Sequence, residues 1–68
     1  MANLGDYRAW CVRKIQRAAN PLGCGTAGLV GKTAQKRFGV DVFTLEQWLK
    51  RLRNDGVLAY TNGHWWVP

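Results

Sequence analysis

At Gly56 the apolar residues stop recurring every three or four positions and begin to alternate, and this switch limits the architectures open to the chain. Upstream, Leu45, Trp48, Leu49 and Leu52 keep helical spacing, which predicts a helix over 42–55 with one apolar stripe. Asp41 or Thr44 can cap its start, Thr44-Leu45-Glu46-Gln47 fits a capping box, and Gly56 closes its end. Downstream, Val57-Leu58-Ala59-Tyr60 and Trp65-Trp66-Val67 are β-favouring runs around Thr61-Asn62-Gly63-His64. Asn-Gly is the preferred centre of a two-residue type I′ turn, so a hairpin is expected over 57–67. It sets Tyr60 opposite Trp65 and Leu58 opposite Val67 on one side, with Ala59 opposite Trp66 on the other. The bulkier side is expected to face the core.

Before this switch the pattern is helical and punctuated by glycine. Tyr7, Cys11, Ile15 and Ala18 predict a first helix over about 6–19, with Asp6 as its cap and Asn20-Pro21 as its stop. Pro21 to Gly28 carries Gly23, Gly25 and Gly28, a composition that favours a loop with at most a short extended segment. Val30, Ala34 and Phe38 predict a second helix over about 29–38, ended by Gly39 and weakened near its start by Gly31 by about 1 kcal/mol relative to Ala. The expected fold is therefore one domain spanning 1–68, mainly α with a C-terminal β-hairpin. A chain of 68 residues buries only about 60% of its unfolded surface, which leaves little room for a deep cleft. Its 47% hydrophobic content and four Trp are those of a chain that folds.

The residue inventory excludes most catalysis. There is no Ser, one His and only four carboxylates, so neither a Ser-His-Asp site nor a paired-carboxylate site has its material. Two Cys and one His fall short of the four ligands of a structural zinc. A non-enzyme is expected, with no cofactor, metal or small-molecule ligand. Cys11 and Cys24 read as thiols, with a single bridge between them left open. No apolar run approaches the roughly 20 residues that cross a bilayer, and Met1 to Asp6 has neither a basic start nor a hydrophobic stretch, so a cytoplasmic protein without a membrane partner is expected. Gly25 to Thr33 is reminiscent of a phosphate-binding loop, but that motif needs Gly where Thr26 stands and a strand before it.

A formal charge of +6 and a pI near 10 favour a polyanionic partner, nucleic acid first. At roughly 100° per residue the face of 42–55 opposite its apolar stripe carries Phe43, Gln47, Lys50 and Asn54, flanked by Arg51. The stretch Gly39 to Leu58, Gly-Val-Asp-Val-Phe-Thr-Leu-Glu-Gln-Trp-Leu-Lys-Arg-Leu-Arg-Asn-Asp-Gly-Val-Leu, resembles the winged helix-turn-helix superfamily, in the glycine after the second helix, the spacing of the third and the helix-ending Gly56. The resemblance implies three helices and a wing, with the third helix in the major groove of double-stranded DNA. Gln47 would then pair with an adenine edge, Lys50 with guanine or phosphate, and Phe43 with a thymine methyl, with Asn54 at the groove's margin. Lys32, Lys36 and Arg37 would cross the backbone, Arg13 and Arg17 would touch phosphate at the flank, and Asn62, with Thr61 and His64, would donate to phosphate from the wing. The implied role is a small transcriptional regulator or architectural accessory factor, aided by self-association or a protein partner.

Other readings stay open on the same residues. Each basic row also fits a solvated helix face, and His64 an exposed hairpin position. Glu46 stands beside the outer row, and Val42 and Phe43 place apolar bulk there, which suits a protein-binding domain that inhibits or adapts a nucleic-acid enzyme. Trp10 among Arg8, Arg13, Lys14 and Arg17 suits stacking on a single strand, or else it folds over the core edge towards Trp66.

Overall fold

The computed structural model describes residues 3–18 and 23–68. Along the chain these form α1 (Leu4–Arg17), β1 (Cys24–Gly25), α2 (Thr26–Val30), α3 (Lys32–Phe38), α4 (Val42–Asn54), β2 (Ala59–Thr61) and β3 (His64–Trp66). The chain is mainly helical, with one small antiparallel sheet in the order β1-β3-β2.

The cap of α1 is Asn3 rather than Asp6: its side-chain oxygen accepts a hydrogen bond from the Asp6 amide at 3.0 Å. Asn caps as well as Asp does, and Asp6 then sits in the first turn, where its charge meets the positive end of the helix dipole. Starting at Leu4 adds two residues, so Leu4 joins Tyr7, Cys11 and Ile15 on the inward side. The expected end near residue 19 and the Asn20-Pro21 stop lie outside the described residues, as do Pro21 and Leu22 of the expected loop.

The rest of that loop is ordered. Cys24 pairs with Trp65 and Gly25 with His64, making a third strand that the hairpin reading did not contain. Gly23 allows it: its φ is +103°, and a side chain there would run into the Trp65 carbonyl oxygen. The second helix also starts earlier than expected and comes in two pieces, α2 and α3, separated at Gly31. Gly31 has extended backbone, and a Cβ on it would lie 2.5 Å from the Ala27 carbonyl oxygen. Breaking the helix leaves carbonyls at the end of α2 without amides a turn ahead. Side chains take their place: the Tyr7 hydroxyl donates to Leu29 O at 2.7 Å, and Gln35 Nε2 donates to Val30 O at 3.2 Å.

Asp41 caps α4 by accepting from the Thr44 amide at 2.9 Å, so Thr44 is not the cap. The far end closes as a Schellman motif, with the Gly56 amide on Arg53 O at 3.1 Å and the Val57 amide on Leu52 O at 3.0 Å. This turn delivers Leu58 into the core, where it is 1% exposed. The hairpin has the expected register, Tyr60 opposite Trp65 and Ala59 opposite Trp66, and Asn62 and Gly63 both have positive φ, as a type I′ turn requires. Leu58 and Trp65 face inward, while Tyr60 lies at the rim, its ring tilted 49° against Trp65 at 4.8 Å and covered by the Arg53 guanidinium at 5.6 Å. Trp65 Nε1 donates to the Thr26 hydroxyl at 2.8 Å, which ties β3 to the start of α2.

The core joins Tyr7, Cys11 and Ile15 of α1 to Leu29, Val30, Ala34 and Phe38, to Leu45, Leu49 and Leu52 of α4, and to Leu58 and Trp65. Fully burying one such large apolar side chain stabilises the fold by about 1.5–3 kcal/mol. Trp48, expected within the stripe of α4, is half-buried and packs on Tyr7 at 5.6 Å.

Candidate nucleic-acid interface

Burial of Leu45, Leu49 and Leu52 fixes the rotation of α4. It leaves Gln47, Lys50, Arg51 and Asn54 exposed, with Phe43 at 65% exposure near the start of the helix. Gln47, Lys50, Arg51 and Asn54 share a shallow depression of about 410 Å³ with Leu4 and Trp48. An Asp6 cap would leave Leu4 outside the helix and off this surface, although its spacing from Tyr7 and Cys11 carries the signal. Arg51 differs from its neighbours: its Nε donates to both carboxylate oxygens of Asp55, at 3.2 and 3.1 Å. An exposed pair of this kind is weak and screened by salt, yet it engages Arg51 locally. Glu46 is exposed beside the row, and Val42 is 40% exposed.

Lys32, Lys36 and Arg37 are exposed on α3, which Gly39 connects to α4; the Arg37 guanidinium lies 5.8 Å from the Phe38 ring centre. At the hairpin tip Asn62 is exposed, but the other expected donors are engaged differently. The Thr61 hydroxyl accepts from Trp66 Nε1 at 3.1 Å. His64 is half-buried rather than exposed, because β1 pairs along the far side of β3, and its Nδ1 is buried without a hydrogen-bond partner among the described residues.

Arg13 and Arg17 are brought together elsewhere. With Trp10 and Lys14 they stand at i, i+3, i+4 and i+7 along one flank of α1, and this flank forms one wall of a groove of about 510 Å³ completed by Ala18, Cys24 and Thr33. Trp10 does not reach Trp66. It stacks on Tyr7 at 6.0 Å with an interplanar angle of 19° and meets the edge of Phe38 at 5.6 Å, while Lys14 Nζ lies 4.8 Å from its ring centre. Cys24 and Thr33 carried no signal in the sequence for this role, since β1 and the break at Gly31 place them there.

Both cysteines are free thiols. Burial pushes Cys11 up to about 12 and holds the Tyr7 phenol far above its ordinary value, so neither ionises near neutral pH. Gly25 to Thr33 forms the end of β1, all of α2 and the start of α3 rather than a loop around an anion. Among the described residues the single ion pair is Arg51 with Asp55, and no group of three or more His, Cys, Asp or Glu is placed to hold a metal. No described helix is long and apolar enough to cross a membrane. Comparison with protein-family models, curated proteins and solved structures found no match to this chain.

Proposed function

We propose that this chain is a winged-helix domain that binds double-stranded DNA, with α4 in the major groove and the cations of α3 on phosphates. The observation that carries the reading is the exposed row Phe43, Gln47, Lys50 and Asn54 on a helix anchored by Leu45, Leu49 and Leu52. The turn at Gly39 and the hairpin after Gly56 keep the element order on which the resemblance rests, and β1 stiffens the hairpin into a sheet. In the groove the Gln47 amide can pair bidentately with adenine and the Lys50 ammonium with guanine, each such pair giving about 1–3 kcal/mol of discrimination. Lys32, Lys36 and Arg37 supply register without sequence. A single domain of this size reads a short site weakly, so the role that fits is a small transcriptional regulator or architectural accessory that acts with a second copy or a protein partner.

Fluorescence anisotropy on a labelled blunt duplex tests this reading. Neutralising about three phosphates, by Lys32, Lys36 and Arg37, gives a slope of log affinity against log salt near −3, and Gln47→Ala with Lys50→Ala weakens binding by about tenfold or more. A flat salt response, or an unaffected double variant, overturns it.

One observation favours a second reading. Val42 and Phe43 are adjacent and exposed at 40% and 65%, an apolar anchor that a protein partner would bury, and Glu46 poses no conflict there. Under that reading Phe43→Ala abolishes capture of the partner and leaves duplex affinity unchanged.

A further inference from the structure

We propose that the groove between α1, β1 and α3 is a second binding site, for an unpaired nucleotide of a single-stranded nucleic acid, with its base on Trp10 and its phosphates on Arg13 and Arg17. Three kinds of observation meet there. The wall from α1 is an indole flanked by three cations at helical spacing, and no carboxylate among the described residues lines the groove. Its volume of about 510 Å³ lies within the roughly 300–1,000 Å³ of sites that take small organic groups. The indole is also held in place, by Tyr7 on one side and the Phe38 edge on another, so it offers a preorganised surface for stacking.

The charge and the aromatic ring select the ligand together. A base can lie on an indole only when it is unpaired and unstacked, so a duplex cannot use this surface in the same way. Lys14 occupies the approach to the ring, with Nζ 4.8 Å from its centre. That contact is a half-buried cation–π pair on a flexible side chain; an arriving base displaces the ammonium, which moves onto the neighbouring phosphate. Arg13 and Arg17 are exposed and lack a carboxylate partner among the described residues, so they meet phosphate without breaking an internal pair. Cys24 and Thr33 form the opposite side, and none of these residues belongs to the α4 row. The inference therefore stands or falls separately from duplex binding.

The experiment uses the full chain with three labelled probes: an oligothymidylate of about ten nucleotides, an abasic strand of the same length, and a blunt duplex. Arg13→Ala with Arg17→Ala lowers oligothymidylate affinity about tenfold and duplex affinity much less, and the abasic strand binds at least about fivefold more weakly than the oligothymidylate. Both arginines are exposed, so the variant keeps its melting temperature. Alkylation provides a second readout, because Cys11 is buried and Cys24 is the accessible thiol: saturating oligothymidylate slows the reaction of Cys24 with N-ethylmaleimide. Absence of oligothymidylate binding, equal losses on strand and duplex, equal binding of the abasic strand, or unslowed alkylation overturns the inference. If the strand protects Cys24 while the duplex is not bound, this site stands and the α4 reading falls; if Gln47 and Lys50 govern duplex binding and the strand leaves Cys24 unprotected, the reverse holds.

Discussion

Replacing Tyr7 with Phe removes one oxygen and keeps the ring, so it tests the hydrogen bond that links α1 to the end of α2. Tyr7 and Leu29 are both 0% exposed, and the bond between them is 2.7 Å long. Because α2 stops at Val30, the Leu29 carbonyl has no replacement donor from its own helix. The ring contacts with Phe38 at 5.4 Å and Trp48 at 5.6 Å are preserved in the variant. The expected cost is that of a buried carbonyl left unsatisfied, about 1–3 kcal/mol. Scaling about 0.05–0.15 kcal/mol per residue to this length gives a total stability of roughly 3–10 kcal/mol, so a loss of about 2 kcal/mol is a large fraction. For a domain of this size it lowers Tm by about 8–16 °C. Circular dichroism melts and urea titrations of the two proteins measure it. A drop below about 3 °C would refute the reasoning, because it would mean that Leu29 O finds water or that the chain closes the helix across Gly31.

Alkaline stability follows from Cys11: its folded thiol, pushed from 9.0 to about 12, keeps a proton that the unfolded chain releases. The associated stability is complete below pH 9 and declines as pH rises towards 12, by about 1.4 kcal/mol per pH unit for this group, and the raised Tyr7 phenol adds a further decline above pH 10. Urea midpoints measured between pH 8 and 10 should fall with this sign, and Cys11→Ala should flatten the fall even though the variant is less stable throughout. Gly31→Ala sets backbone entropy against packing: the smaller entropy of the unfolded chain favours Ala by about 0.4–1 kcal/mol, but the backbone shift forced by the 2.5 Å approach to Ala27 O costs about 1–3 kcal/mol. Thermal melts are expected to show net destabilisation. Asp55→Asn releases Arg51 from its ion pair and should steepen the salt slope of duplex binding by about 0.9, the increment for one added phosphate contact.

The strongly periodic parts of the chain were legible. The stripe of α4, its Asp41 cap, the glycine after α3 and the Asn62-Gly63 turn each combine a local signal with the packing that rewards it. So does the inward side of the hairpin at Leu58 and Trp65. What escaped has a long-range cause. Two residues of β1 contain no alternation to read, and only the approach of β3 to Gly23 gives them a partner. Gly31 marked weakness within a helix, but whether a helix bends or breaks depends on Tyr7 and Gln35 receiving its freed carbonyls. The sequence sets Trp10 within a basic group, yet its neighbours Tyr7 and Phe38 decide where the indole stands. The exposed row of α4 was legible because a helix with one buried side has only one other side to offer. The far wall of the α1 groove was not, since Cys24 and Thr33 reach it through β1 and the break at Gly31.

The sheet order also dictates a sequence of events during synthesis. Cys24 and Gly25 have no strand to join until Trp65 and His64 have been added, and the Thr26 hydroxyl lacks its indole donor for the same interval. A nascent chain that has reached residue 60 holds all four helical segments but leaves their shared interior open on the side that Trp65 will close. Helix formation can run ahead on the ribosome, whereas locking of the domain waits for its last strand, so translational pausing before that strand would lengthen the exposure of an unfinished core to chaperones and proteases.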